Sequence, residues 1–178
     1  MLRLIGGLIV LTVMGPAHAQ DTHPPPGDQA IRGLTDREVS DLRQGMGMGR
    51  ARAAELNGYP GPRHVLDLAQ AGRLALTPEQ TRTAQRLFDG MAREARRLGD
   101  MILREEQSLE AEFRSGRISE AGLHARALRI AALEGELRAV HLRAHVEMRA
   151  ALSAAEIQQY NALRGYGGAP PRQHPPHH

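Results

Sequence analysis

Apolar residues recur at steps of three and four over two long stretches of the chain. The first runs through Ala84, Leu87, Phe88, Met91, Ala95, Leu98, Ile102, Leu109 and Phe113; the second through Leu123, Ala127, Ile130, Leu133, Leu137, Val140, Ala144 and Met148. That spacing lays one apolar stripe along a helix, and the arginines and carboxylates between supply its solvated face. Ser115-Gly116 interrupts the pattern, and the two stretches are expected to fold back on each other as an antiparallel hairpin. Its first arm, from Pro78, is about 55 Å long at about 1.5 Å per residue.

The arms are bracketed by near-copies of one start signal. Leu76-Thr77-Pro78-Glu79-Gln80 precedes the first and Leu152-Ser153-Ala154-Ala155-Glu156 follows the second. A hydroxyl residue with Gln or Glu three positions later is a capping box, in which each side chain bonds the other's backbone N–H. Pro78 occupies the first helical position, where its missing N–H costs nothing. A third box, Thr35 with Glu38, opens a helix carrying Val39, Leu42, Met46 and Ala53. Glycines at 45, 47 and 49 weaken it, and a bent helix reaching about Leu56 is expected. No strand precedes these glycines, so they do not read as a dinucleotide loop. Asn57 to Pro62 is a turn, Arg63 to Gln70 a short helix, and Ser153 opens a last helix carrying Ile157, Tyr160 and Leu163. The fold expected is all-α, with four to five helices: the long antiparallel hairpin and short flanking helices. A hairpin alone leaves part of each stripe uncovered, and a homodimer is expected to bury the rest.

The ends read differently. Arg3, the apolar run Leu4 to Gly15 and Ala17-His18-Ala19 form a secretory signal over residues 1–19, with cleavage expected at Gln20. The apolar run is too short to span a bilayer, so no membrane insertion is expected after cleavage. Residues 20–33, with Pro24-Pro25-Pro26, read as a disordered linker, 34–167 as the helical domain, and 168–178 as a disordered tail rich in Pro and His.

Composition narrows the chemistry. Hydrophobic residues are 41% but aromatics 3%, with no Trp, which suits helix packing better than a β-sandwich. Every one of the 23 basic residues is Arg, a bias that reads as codon usage in a GC-rich genome before it reads as a functional choice. The formal charge of +3 is too even for a nucleic-acid-binding surface. Cys is absent, which removes disulfides and thiol chemistry. No nucleophile elbow or His-Glu-x-x-His motif is present, so an enzyme is not expected.

In this combination of features, the chain resembles the Spy/CpxP group of periplasmic proteins, whose relatives include the metal sensors CnrX and ZraP. The resemblance covers about Thr35 to Gly167 and rests on two Leu-Thr-x-x-Gln-type boxes around a long hairpin in an exported chain. Leu76, Thr77, Pro78 and Gln80 match fully; Leu152, Ser153 and Glu156 carry Ser for Thr and Glu for Gln. It implies a hairpin fold dimerising as a cradle, a periplasmic location, and one of two tasks. One is ATP-independent holding of unfolded periplasmic proteins in an envelope-stress response. The other is heavy-metal binding that signals to a membrane sensor or regulatory protein. In the cobalt–nickel sensors a His stands four residues before a Met near this end of the hairpin. Met148 falls on the Met position, Ala144 on the His position, and His145 is the nearest histidine.

Candidate site residues follow. No cofactor is required, but Cu, Zn, Ni or Co is the candidate ion. His141, His145 and Met148 lie at i, i+4 and i+7 on one face, two imidazoles and a thioether suited to Cu(I), or with oxygen ligands to Ni, Co or Zn; His64 reaches across as a further ligand. The bland alternative makes Met148 core and the histidines its edge. Met46 and Met48 offer two sulfurs, but on a helix they point apart and Met46 reads as core. His174, His177 and His178 read as solvated tail and His124 as a surface residue. Glu105, Glu106, Glu110 and Glu112 read as a solvated face with ordinary titration. For client binding, Arg82, Arg86, Arg93 and Arg97 repeat at steps of four and seven along the first arm, with Arg96 and Arg104 nearby; their stems cover apolar surface while the heads stay wet.

Overall fold

The computed structural model describes residues 31–166, and these are all-helical, without strands. Six helices follow in order: α1 (Asp36–Gln44), α2 (Arg52–Leu56), α3 (Pro62–Gln70), α4 (Pro78–Arg114), α5 (Glu120–Ala150) and α6 (Ala154–Leu163). The 37-residue α4 and 31-residue α5 pack along each other as the hairpin, α1 and α3 lie on α4, and α2 and α3 touch α5. No helix of the described residues is long and apolar enough to cross a membrane. The expected signal at 1–19, most of the linker and the tail lie outside the described residues.

Local chemistry sets the helix starts. Thr35, Thr77 and Ser153 each close a complete capping box, with Glu38, Gln80 and Glu156 respectively; each cap is worth about 1 kcal/mol. Ser119 caps α5 through the Gly122 N–H, 3.1 Å away. The two boxes that bracket the hairpin also meet. Gln80 Nε2 donates to Glu156 Oε2 at 2.9 Å and to the Ala151 carbonyl at 3.2 Å. The same Glu156 oxygen accepts the Ser153 N–H at 2.7 Å. The amide in one box and the carboxylate in the other thus make a donor–acceptor pair across the base of the hairpin.

Two corrections concern the N-terminal part. The bent helix expected to run to Leu56 is two helices. Gly45 adopts the left-handed conformation (φ 67°) and ends α1 in a Schellman motif: its N–H bonds Leu42 O at 3.1 Å and the Met46 N–H bonds Asp41 O at 2.9 Å. The linker expected through residue 33 is already packed at Ile31, which is buried with Leu42, Leu98, Ile102 and Leu137.

The apolar stripes feed two clusters. One joins α1 to the middle of the hairpin through Leu42, Ala95, Leu98, Ile102, Leu133 and Leu137. The other closes the hairpin base, where Val65, Leu74, Ala84, Met148, Leu152 and Tyr160 meet. α1 crosses α4 closely at Gly99, where a Cβ would sit 2.1 Å from the Leu42 carbonyl oxygen. Near the hairpin tip the stripe runs bare: Phe113, Leu123 and Ala127 are exposed.

Candidate functional site

The segment between α1 and α2 is held open over the middle of the hairpin. After Gly45, Met48 (φ 47°) and Gly49 (φ 75°) keep the chain coiling in the left-handed region. Arg50 pins this segment to α5 through Glu134, at 2.5 Å, and donates to Met48 Sδ at 3.0 Å. The next connection, Asn57 to Gly61, is tied to α5 as well. Arg149 bonds the Gly58 carbonyl and stacks over the Tyr59 ring, 4.7 Å from its centre.

Between these two connections, α3 and the hairpin lies a groove of about 840 Å³. Met46, Met48, Met91, Phe88 and Leu56 supply its apolar lining, and Arg43, Arg52, Arg63 and Arg96 its positive charge. Met46 and Met48 are 50% and 40% exposed, so Met46 is not the core residue that the helical reading made it. With the helix ended at Gly45, both thioethers line one groove instead of pointing apart.

The candidate metal residues fall around this groove without forming one site. Met148 is fully buried in the base cluster. His141 is 3% exposed, its Nε2 is buried without a partner, and its Cε1–Nδ1 edge lies against Gly47. Burial first, then the neighbouring Arg50 and His145, pushes its pKa down to about 4. His145 Nδ1 meets the Tyr59 carbonyl at 2.8 Å. A carbonyl only accepts, so Nδ1 carries the hydrogen and Nε2 of the neutral ring keeps its lone pair. His64 lies 3.6 Å from Glu55 Oε1; burial, then Arg164, holds its pKa below the ordinary value against the pull of Glu55. Among the described residues no group of three or more His, Cys, Asp or Glu side chains converges closely enough to hold a metal ion.

Glu55, unremarked in the sequence, is the polar hub at the groove's inner end. Tyr160 donates to it at 3.2 Å, Tyr166 at 2.6 Å and Arg164 at 3.3 Å. Burial works against its charge, but Tyr166, His64 and Arg164 outweigh it and hold its pKa below the usual carboxylate value. The buried Tyr160 hydroxyl also accepts the Gly61 N–H at 3.4 Å; burial, then Glu55, holds its pKa far above the ordinary phenol range. No sequence signal marks Glu55, because its tyrosine and arginine partners lie over a hundred positions away.

The proposed arginine face is elsewhere. Arg82, Arg86, Arg93 and Arg97 are exposed on α4 and none lines the groove. Arg97 pairs with Glu94 at 2.6 Å, and Arg86 donates to Thr83. Of the arginines the sequence singles out, Arg96 alone reaches the groove. Among the carboxylates, Arg126 holds Glu105 and Glu112, and Arg32 with Arg114 holds Glu110. Glu106 departs from ordinary titration: burial, then Glu134, raises its pKa. His124 is exposed as expected. No family model matches this chain, and neither a curated protein nor a solved structure does.

Proposed function

We propose that this chain is a non-catalytic periplasmic holding protein that binds unfolded polypeptide segments without ATP, in keeping with its Spy/CpxP resemblance. The observation that carries the reading is the groove. Methionines adapt their shape to varied apolar partners, and a thioether-lined surface suits binding without strict sequence choice. Arginine stems around it extend the apolar area while their heads stay hydrated. The same reading includes a homodimer, supported by the bare apolar tip at Phe113 and Leu123. The test is light scattering of a chemically denatured client at near-stoichiometric protein. Aggregation is expected to fall, and Met46→Gln with Met48→Gln to remove most of the effect. Unchanged aggregation with the native chain, or full protection by the variant, refutes the reading. Sedimentation at tens of micromolar checks the dimer; a monomer mass refutes that part.

A second reading, metal binding that signals to a regulatory partner, is favoured by the side chains that crowd Gly61. A Cβ there would lie 3.1 Å from His145 Nε2 and 3.3 Å from Glu55 Oε1. A lone pair on a carbonyl-bound imidazole, with a carboxylate on the same glycine, is the beginning of a Zn, Ni, Co or Cu(II) site, which a turn of the half-buried His64 would complete. Calorimetric titration with each metal tests it. Micromolar or tighter binding that His145→Ala abolishes supports it; binding no tighter than millimolar ends it.

A further inference from the structure

Three of the seven large apolar side chains exposed on the described surface, Met46, Met48 and Leu56, line this one groove. Its volume of about 840 Å³ falls in the range of small-molecule sites, which are mostly apolar with a few polar groups placed for orientation. Its unpaired charges carry one sign. Glu55 is the sole carboxylate of the lining, and Tyr160, Tyr166 and Arg164 already bond it. Arg63 is engaged by Asp67 and the Phe88 ring. Arg43, Arg52 and Arg96 are exposed and form no ion pair among the described residues. Arg96 stands beside the end of α1 that carries Arg43: its Cγ lies 3.1 Å from where a Cβ on Gly45 would be.

We propose that the groove binds a single-chain anionic amphiphile, a free long-chain carboxylate, with its tail on Met46, Met48 and Phe88 and its head at Arg43 and Arg96. A cationic head would meet arginines and a single carboxylate, Glu55, that Tyr160, Tyr166 and Arg164 already bond, and a neutral head would leave the arginines unanswered. A polyanion would set its charge against the thioether floor. An arginine fork matches a carboxylate in two parallel hydrogen bonds, and methionine's three rotatable bonds let the floor follow a flexible tail. This site does not depend on polypeptide holding.

The test is calorimetric titration of the full chain with dodecanoate, dodecyltrimethylammonium and dodecyl maltoside, each below its micelle concentration. Dodecanoate is expected to bind about tenfold more tightly than the other two, and Arg43→Gln with Arg96→Gln to erase that preference. Met46→Gln with Met48→Gln is expected to weaken dodecanoate by a similar factor, while Arg82→Gln with Arg93→Gln leaves it unchanged. Circular dichroism of each variant checks that helix content is kept; all six positions are solvent-exposed. Equal affinity for the three surfactants overturns the proposal, as does an equal loss in the Arg82/Arg93 variant. An aspartate-flanked apolar peptide that binds where dodecanoate does not also overturns it. Failure of dodecanoate with client holding intact removes this proposal alone; dodecanoate binding without client holding removes only the other reading.

Discussion

Replacing His141 with Leu tests whether this buried imidazole makes the fold sensitive to acid. The ring is 3% exposed, its Nε2 has no partner, and its pKa falls from 6.5 to about 4. The folded value lies below the unfolded one, so as pH falls the unfolded chain takes up the proton first. The stability tied to a neutral His141 is fully present above 6.5 and drains away as pH falls toward 4. At about 1.4 kcal/mol per pKa unit, the full effect is about 3 kcal/mol, of which about 2 kcal/mol is lost between about pH 7 and about pH 5. His141→Leu removes the titrating group and the unsatisfied nitrogen together. Near neutrality the variant is expected within about 1 kcal/mol of the native chain; near pH 5 it should be the more stable by about 2 kcal/mol. Urea unfolding followed by far-ultraviolet circular dichroism reads both. Both proteins are titrated over the same range, and the difference between the two pH profiles reads His141. Profiles that run parallel would show that the folded state admits the charged ring, and the reasoning fails.

Other outcomes follow from single contacts. Gly99→Ala puts a Cβ 2.1 Å from the Leu42 carbonyl and should cost about 3 kcal/mol in thermal unfolding. Gly90→Ala and Gly135→Ala meet nothing within 4 Å and should each gain about 0.5–1 kcal/mol; a tolerated Gly99→Ala would refute the close crossing of α1 over α4. Gln80→Glu sets a second carboxylate against Glu156 and should cost about 2 kcal/mol. Adding Glu156→Gln restores a donor–acceptor pair and should recover most of that loss, a coupling that a double-mutant cycle measures; independent effects would show the boxes do not speak to each other.

Where local chemistry decides structure, the sequence was readable. The bounds of α4 follow from Thr77, Pro78, Gln80 and Ser115, and the start of α6 from Ser153 and Glu156, because caps act within one turn. The end of α1 was in reach too: Gly45 after Arg43 carries the left-handed terminator signal, which stops a helix outright where weak propensity would only bend it. Ile31 gave no sign, since one apolar residue beside Pro-rich sequence has no periodicity. The groove was illegible because it depends on distant pairings. Glu55 meets Tyr160, Tyr166 and Arg164, and Arg50 meets Glu134, at separations where no local pattern exists. His141, His145 and Met148 share one face of α5 and all are buried, the two histidines beneath the segments that line the groove and Met148 in the base cluster.

The bond between Gln80 and Glu156 gives the hairpin a fixed zero. Both arms are measured from that point, and the side chains of α4 and α5 interlock in a register counted outward from it. An insertion in one arm alone would slide every apolar pair beyond it out of phase, while the bonded base refuses to move. Length can change freely only at the far end, around Ser115 to Ser119, where no apolar partner is waiting. The molecule is in this respect a ruler anchored at one end. Longer or shorter versions of the same architecture would differ at the tip, leaving the groove at its constant distance from the base.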